Sequence, residues 1–223
     1  MTGQSEHATL EYGEQSDRTG ADDRHIGAQS IGRHERSPLV VAVAASAAGR
    51  EEWSGSRAGS SVSAGGFEAE FPLANEAQTA ALAARLAALT RAGDVLALSG
   101  DLGCGKTAFA RAFIRARGTG DEEVPSPTFT LVQVYEPPTP DGAAIWHFDL
   151  YRIADPEEAW ELGIEEAFAT GISLIEWPER LGRLLPSPRL GILFRFGAGQ
   201  DARCVLITGD AVWHERLHGA DLV

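Results

Sequence analysis

From residue 67 onward, apolar positions recur at strand and helix periods. Phe67, Ala69 and Phe71 alternate with Glu68 and Glu70, which predicts a half-buried strand. Asn75 is a helix cap, and Ala81, Leu82, Arg85, Leu86 and Leu89 mark the stripe of the helix behind it. Gly93 and Asp94 form a turn before a short buried strand over 95–98. A helix over about 105–116 turns Phe109, Phe113 and Ile114 inward. Residues 125–128 read as stiff loop, 129–135 as an alternating strand, 137–142 as a turn and 144–149 as a further strand. Asp155, Pro156, Glu157 and Glu158 start a helix by cap, first-turn proline and first-turn acids, with Trp160, Ile164, Ala167 and Phe168 on its apolar side. A buried strand over 172–175 ends in Glu176. Two more strands, 190–196 and 203–208, precede a closing helix over 211–218. Strands alternating with helices predict an α/β fold, a sheet with helices on its faces.

Residues 1–66 show no sustained period and are rich in Gly, Ser, Ala, Glu and Arg. They are expected to form a disordered N-terminal extension, with 67–223 as the globular domain. The run 39–48, preceded by Arg33 and Arg36, has a faint likeness to a signal peptide. It begins late, and its leader carries Glu6, Glu11, Glu14, Asp17, Asp22, Asp23 and Glu35, so a cytoplasmic location is expected.

The chain of 223 residues has a formal net charge of −13, which gives no general attraction to nucleic-acid phosphates or anionic membranes. Any RNA would be held through a partner. The two cysteines, Cys104 and Cys204, have no metal-type spacing. Among 19 basic residues Lys106 is the lone lysine.

That lysine stands in the run Gly100, Asp101, Leu102, Gly103, Cys104, Gly105, Lys106, Thr107. The pattern is that of a triphosphate-binding loop between a strand and a helix. Gly100 permits the turn out of the strand. Gly103 and Gly105 let main-chain N–H groups approach an anion closely, at a helix N-terminus that itself favours negative charge. Lys106 reaches β- and γ-phosphates, and Thr107 offers a hydroxyl to Mg²⁺. Cys104 needs only to be small and reads as a bystander thiol. The reaction class expected is ATP hydrolysis, with ATP and Mg²⁺ as ligands.

Such a site wants a carboxylate on a neighbouring strand end. Asp149 and Glu176 each end a strand. Ser126 and Thr128 sit in the connection that often brings hydroxyls to the γ-phosphate. His147 shares a strand face with Asp149, and both a satisfied core histidine and a site residue fit it. Trp177 reads as packing or as a flank of the nucleotide.

These segments, together with Ser126–Val132, His147–Arg152 and Ile175–Glu179, resemble the bacterial TsaE (YjeE) family, the small ATPase of the machinery that makes threonylcarbamoyladenosine in tRNA. The resemblance spans about residues 67 to 218. Cys104, where alanine is usual, and the N-terminal extension depart from it. It implies a compact P-loop NTPase-like sheet, TsaD and TsaB as partners, tRNA met only through that complex, and ATP hydrolysis resetting the complex. It places metal roles on Thr107, Asp149 and Glu176, and catalytic roles on Lys106, Asp149 and Glu176. It also puts 73–79 near the adenine, which makes Glu76 and Thr79 nucleotide candidates.

Two other functions compete. A small-molecule P-loop kinase would want a basic lid, for which Arg180, Arg183 and Arg189 are available, yet nothing marks an acceptor pocket. A nucleotide-dependent docking module would bind without turnover. A GTPase would need a second lysine to read guanine.

Overall fold

The computed structural model describes residues 59–63, 66–118 and 124–223. The expectations for residues 1–58, including the run 39–48, lie outside them. The described elements run β1 (Gly59–Ser63), β2 (Gly66–Leu73), α1 (Glu76–Leu89), β3 (Val95–Gly100), α2 (Lys106–Ala116), β4 (Val132–Tyr135) and β5 (Ile145–Asp149). A 3-10 segment (Pro156–Leu162) follows, then α3 (Ile164–Thr170), β6 (Ile172–Glu176), a second 3-10 segment (Pro178–Leu184), β7 (Leu190–Phe196), β8 (Arg203–Gly209) and α4 (Ala211–His218).

Among the described residues the strands form one eight-stranded sheet in the order β1-β2-β8-β7-β3-β6-β5-β4. β7, β3, β6 and β5 are parallel neighbours, and antiparallel strands extend both edges. α1, α2 and α4 cover one face, where Leu82, Leu86, Phe109, Phe113, Trp213 and Leu217 meet Leu96, Leu98, Leu174 and Ile192. α3 and the 3-10 segments cover the other, where Ile164, Ala167 and Leu181 meet Val95, Phe148 and Ile175. Burial from both sides explains why the central strands read as continuous apolar runs.

Four expectations change. β1 lies inside the stretch read as a disordered extension and pairs with β2, Val62 opposite Phe67. Its Gly- and Ser-rich sequence carries almost no alternation to show it. The strand read over 129–135 is shorter, because Leu131 takes a left-handed φ of 65° and its N–H donates to the Pro127 carbonyl at 2.6 Å. That turn leaves Phe129 82% exposed. The helix from Asp155 has the expected capping box, but it breaks at Gly163, φ 78°, where a Cβ would stand 3.1 Å from the Trp146 ring. Trp160 consequently faces out, its indole N–H donating to Glu157 at 2.9 Å. The 3-10 segment after β6 was not expected at all.

Candidate functional site

The glycine-rich loop after β3 leaves the strand through a backbone that only glycine accepts. Gly100 has φ 128°, and a Cβ there would lie 2.3 Å from the Phe194 carbonyl oxygen on β7. Gly103 and Gly105 have φ of 77° and 111°; a Cβ would meet nothing within 4 Å at Gly103 and only ordinary contacts at Gly105, with Arg203 Nε at 3.8 Å, so conformation rather than space selects glycine there. The Cys104 side chain is buried beneath the loop in the core. Burial pushes its thiol pKa up, with Lys106 opposing. It acts as a small apolar filler. From β8, Arg203 Nε donates to the Cys104 carbonyl at 3.0 Å and braces the loop from outside.

Lys106 opens α2 and is buried. Its ammonium donates to the carbonyls of Gly100 at 2.6 Å and Asp101 at 2.8 Å, and it stands 4.0 Å from the centre of the Trp177 ring. One cation is thus held between loop carbonyls and a π face. The first main-chain N–H groups of α2 follow Gly105, which gives no side-chain cap, and uncapped N–H groups at a helix start favour an anion.

Asp149 and Glu176 are register partners at the ends of β5 and β6, both buried. They have separate partners. Thr107 Oγ1 donates to Glu176 Oε2 at 2.8 Å, and His147 Nε2 lies 2.9 Å from Glu176 Oε1. Thr128 Oγ1 donates to Asp149 Oδ2 at 2.7 Å and lies 2.8 Å from Ser126 Oγ, while the Tyr151 N–H reaches Asp149 Oδ1 at 3.2 Å. The Leu131 turn that shortens β4 sets Ser126 and Thr128 in this position, with Asp149 N–H donating to the Leu131 carbonyl at 3.0 Å.

These groups line one cleft of about 360 Å³, bounded by Leu102, Gly103, Gly105, Lys106, Thr107 and Ala108 on the loop side. Ser126, Thr128, Asp149, Tyr151, Glu176 and Trp177 form the other wall. Gly100, Asp101 and Cys104 do not line the cleft: Cys104 is buried beneath it, and Gly100 and the exposed Asp101 give their carbonyls to Lys106. Glu76 and Thr79 are not brought in: Glu76 opens α1, and Thr79 is buried with its hydroxyl directed to the Asn75 carbonyl at 3.4 Å. The sequence reading missed Tyr151 as a wall residue and Arg203 as a brace. Tyr151 follows Asp149 by two, which was a usable signal. Arg203 meets the loop from 99 positions away in sequence, and nothing local marks it. Trp177 joins Tyr151 at a ring separation of 5.0 Å, and its own φ of 60° is a strained value for a bulky residue.

The oxygen set of Thr107, Asp149 and Glu176 suits a hard cation. Among the described residues no group of three or more His, Cys, Asp or Glu side chains forms a metal cage. Mg²⁺ typically takes one or two carboxylates and completes its shell with water and phosphate oxygens, so the residues present fit it.

A glycine-rich loop between β3 and α2 of a sheet with a parallel centre makes this an α/β fold of the P-loop NTPase-like type. Comparison with known proteins narrows that class. The family model described as threonylcarbamoyl adenosine biosynthesis protein TsaE matches residues 73–204. The tRNA threonylcarbamoyladenosine biosynthesis protein TsaE of Rickettsia bellii is 38% identical over 138 residues, covering 62% of this chain and 93% of that one. The protein of that name from Bacillus subtilis is 40% identical over 146 residues, covering 64% and 87%. The crystal structure of Bacillus subtilis YdiB superposes with a TM-score of 0.56 at 32% identity, over 70% of this chain and 95% of that one. The chain belongs to the TsaE family, which takes part in the biosynthesis of threonylcarbamoyladenosine in tRNA. Among the described residues no helix is long and apolar enough to cross a membrane.

Proposed function

We propose that this protein is the ATP-binding and ATP-hydrolysing component of the tRNA threonylcarbamoyladenosine machinery, working in the cytoplasm with TsaD and TsaB. The observation that carries the reading is the convergence, in one cleft, of the loop lysine, the Thr107–Glu176 pair and the Asp149–Thr128–Ser126 group. Lys106 supplies a cation to the β- and γ-phosphate oxygens. Loop N–H groups hold the remaining charge, and Trp177 and Tyr151 wall the cleft against water. Thr107 and Glu176 are the residues that would hold Mg²⁺, which when bound would neutralise charge on the phosphate oxygens. The −13 charge supports contact with tRNA through partners rather than directly.

The separate hydrogen-bond partners of the two carboxylates divide their labour. Glu176 is bonded to the loop hydroxyl and belongs to the metal side. Asp149 faces the Ser126 and Thr128 hydroxyls and is placed to orient the attacking water. Glu176→Gln should therefore abolish most of the gain in ATP affinity that Mg²⁺ brings, while Asp149→Asn should keep most of that gain and lose at least a hundredfold in single-turnover rate. ATP titrations with Mg²⁺ and with EDTA, run beside single-turnover phosphate release, check both. Wild-type behaviour in both variants would remove the carboxylates from the site.

A further inference from the structure

His147 is fully buried on β5, and Glu176 beside it is 2% exposed. The imidazole Nε2 is 2.9 Å from Glu176 Oε1. The other carboxylate oxygen, Oε2, accepts from Thr107 Oγ1 at 2.8 Å. His147 Nδ1 is buried and has no hydrogen-bond partner among the described residues. In the sheet His147 lies between Gln133 on β4 and Leu174 on β6 as register partners, so the ring comes from a strand paired on both sides.

From this arrangement we infer that His147 is a positioning residue for the nucleotide site: through a hydrogen bond from Nε2 it fixes the Glu176 carboxylate so that Oε2 meets the loop hydroxyl of Thr107. The inference rests on the Mg²⁺–ATP reading above. An ionised carboxylate only accepts, so the hydrogen between the two residues sits on Nε2. A hydrogen on Nδ1 would be a buried donor with nothing to receive it, whereas a bare Nδ1 leaves only an unused lone pair. The two constraints select the same tautomer. Without the imidazole donor, Oε1 would be a buried charged acceptor lacking a partner. The carboxylate would then turn about its last torsion to find one, and Oε2 would leave Thr107. Groups that orient a metal-binding side chain in this way commonly change metal affinity by roughly ten- to a hundredfold when lost.

The test compares the full-length chain with His147→Phe, which keeps a planar ring of similar volume without a donor, and His147→Gln, whose side-chain amide reaches the position of Nε2. ATP affinity is measured by calorimetry with Mg²⁺ and with EDTA. His147→Phe should lose about tenfold or more of the affinity in Mg²⁺ and bind like wild type in EDTA, and His147→Gln should restore most of the loss. In parallel, the ¹⁵N spectrum of the wild-type histidines should show His147 with its hydrogen on Nε2. A wild-type Mg²⁺ gain in His147→Phe would overturn the inference. So would equal losses with and without Mg²⁺ that glutamine fails to restore, or a hydrogen on Nδ1. If His147→Phe does not fold, the glutamine variant and the spectrum decide. Should wild type itself gain nothing from Mg²⁺, the nucleotide reading fails instead, and the tautomer still decides the donation to Glu176.

Discussion

Lys106→Ala is expected to lower ATP affinity at least a hundredfold. The ammonium is the lone lysine of the chain and lies at the mouth of the α2 N-terminus, where phosphate charge would gather. Charge-assisted hydrogen bonds contribute about 1.5–3 kcal/mol each, so removing contacts to two phosphate groups costs about 3 kcal/mol or more. The same side chain also bonds the Gly100 and Asp101 carbonyls. Some loosening of the loop accompanies the substitution, and a thermal melt separates the two effects. Calorimetric titration with ATP and a melt of the same sample check the prediction. Unchanged affinity would contradict a phosphate loop at this position.

The second large effect is on folding. Gly100→Ala puts a Cβ 2.3 Å from the Phe194 carbonyl oxygen and 2.9 Å from Cys104 Sγ, at a φ of 128°. Backbone oxygen on an adjacent strand cannot move aside cheaply, so β3 and β7 must separate where the loop begins. The expected cost is about 3 kcal/mol, with loss of nucleotide binding. Gly103→Ala is the control. It has the same kind of positive φ, 77°, but nothing within 4 Å of the new Cβ, and should cost about 1 kcal/mol. For a chain of this size the two substitutions should differ by several degrees in melting temperature. Equal melting temperatures would show that the contact with Phe194 does not limit the fold.

The parts of the site legible in sequence were those whose chemistry is local. Gly100 to Thr107 is one continuous run. Asp149 and Glu176 could be read because each ends an apolar strand, and the parallel register of β5 and β6 then sets them opposite one another. The Asp155 cap and the Asn75 cap are likewise local, and both are present. What escaped depends on distant packing. Nothing near Gly163 in sequence tells that its backbone turns left-handed beside the Trp146 ring, where a Cβ would be crowded. Nothing near Leu131 forecasts its left-handed turn, which fits the Asp149 hydroxyl partners into the cleft. His147 fits two readings in sequence because burial is visible in a strand pattern and a partner 29 positions away is not. β1 escapes because its Gly- and Ser-rich sequence carries almost no alternation, and its pairing with β2 is not written in that pattern.

In the function proposed above, this cleft hydrolyses ATP in the service of a TsaD–TsaB assembly. The most direct measurement is steady-state phosphate release from Mg²⁺–ATP by the purified chain, alone and with TsaD and TsaB added, with Lys106→Ala as the blank. Slow release by the chain alone, accelerated at least tenfold by the two partners and absent in the blank, is the predicted result. Release that the partners leave unchanged, or that persists in Lys106→Ala, would contradict the account.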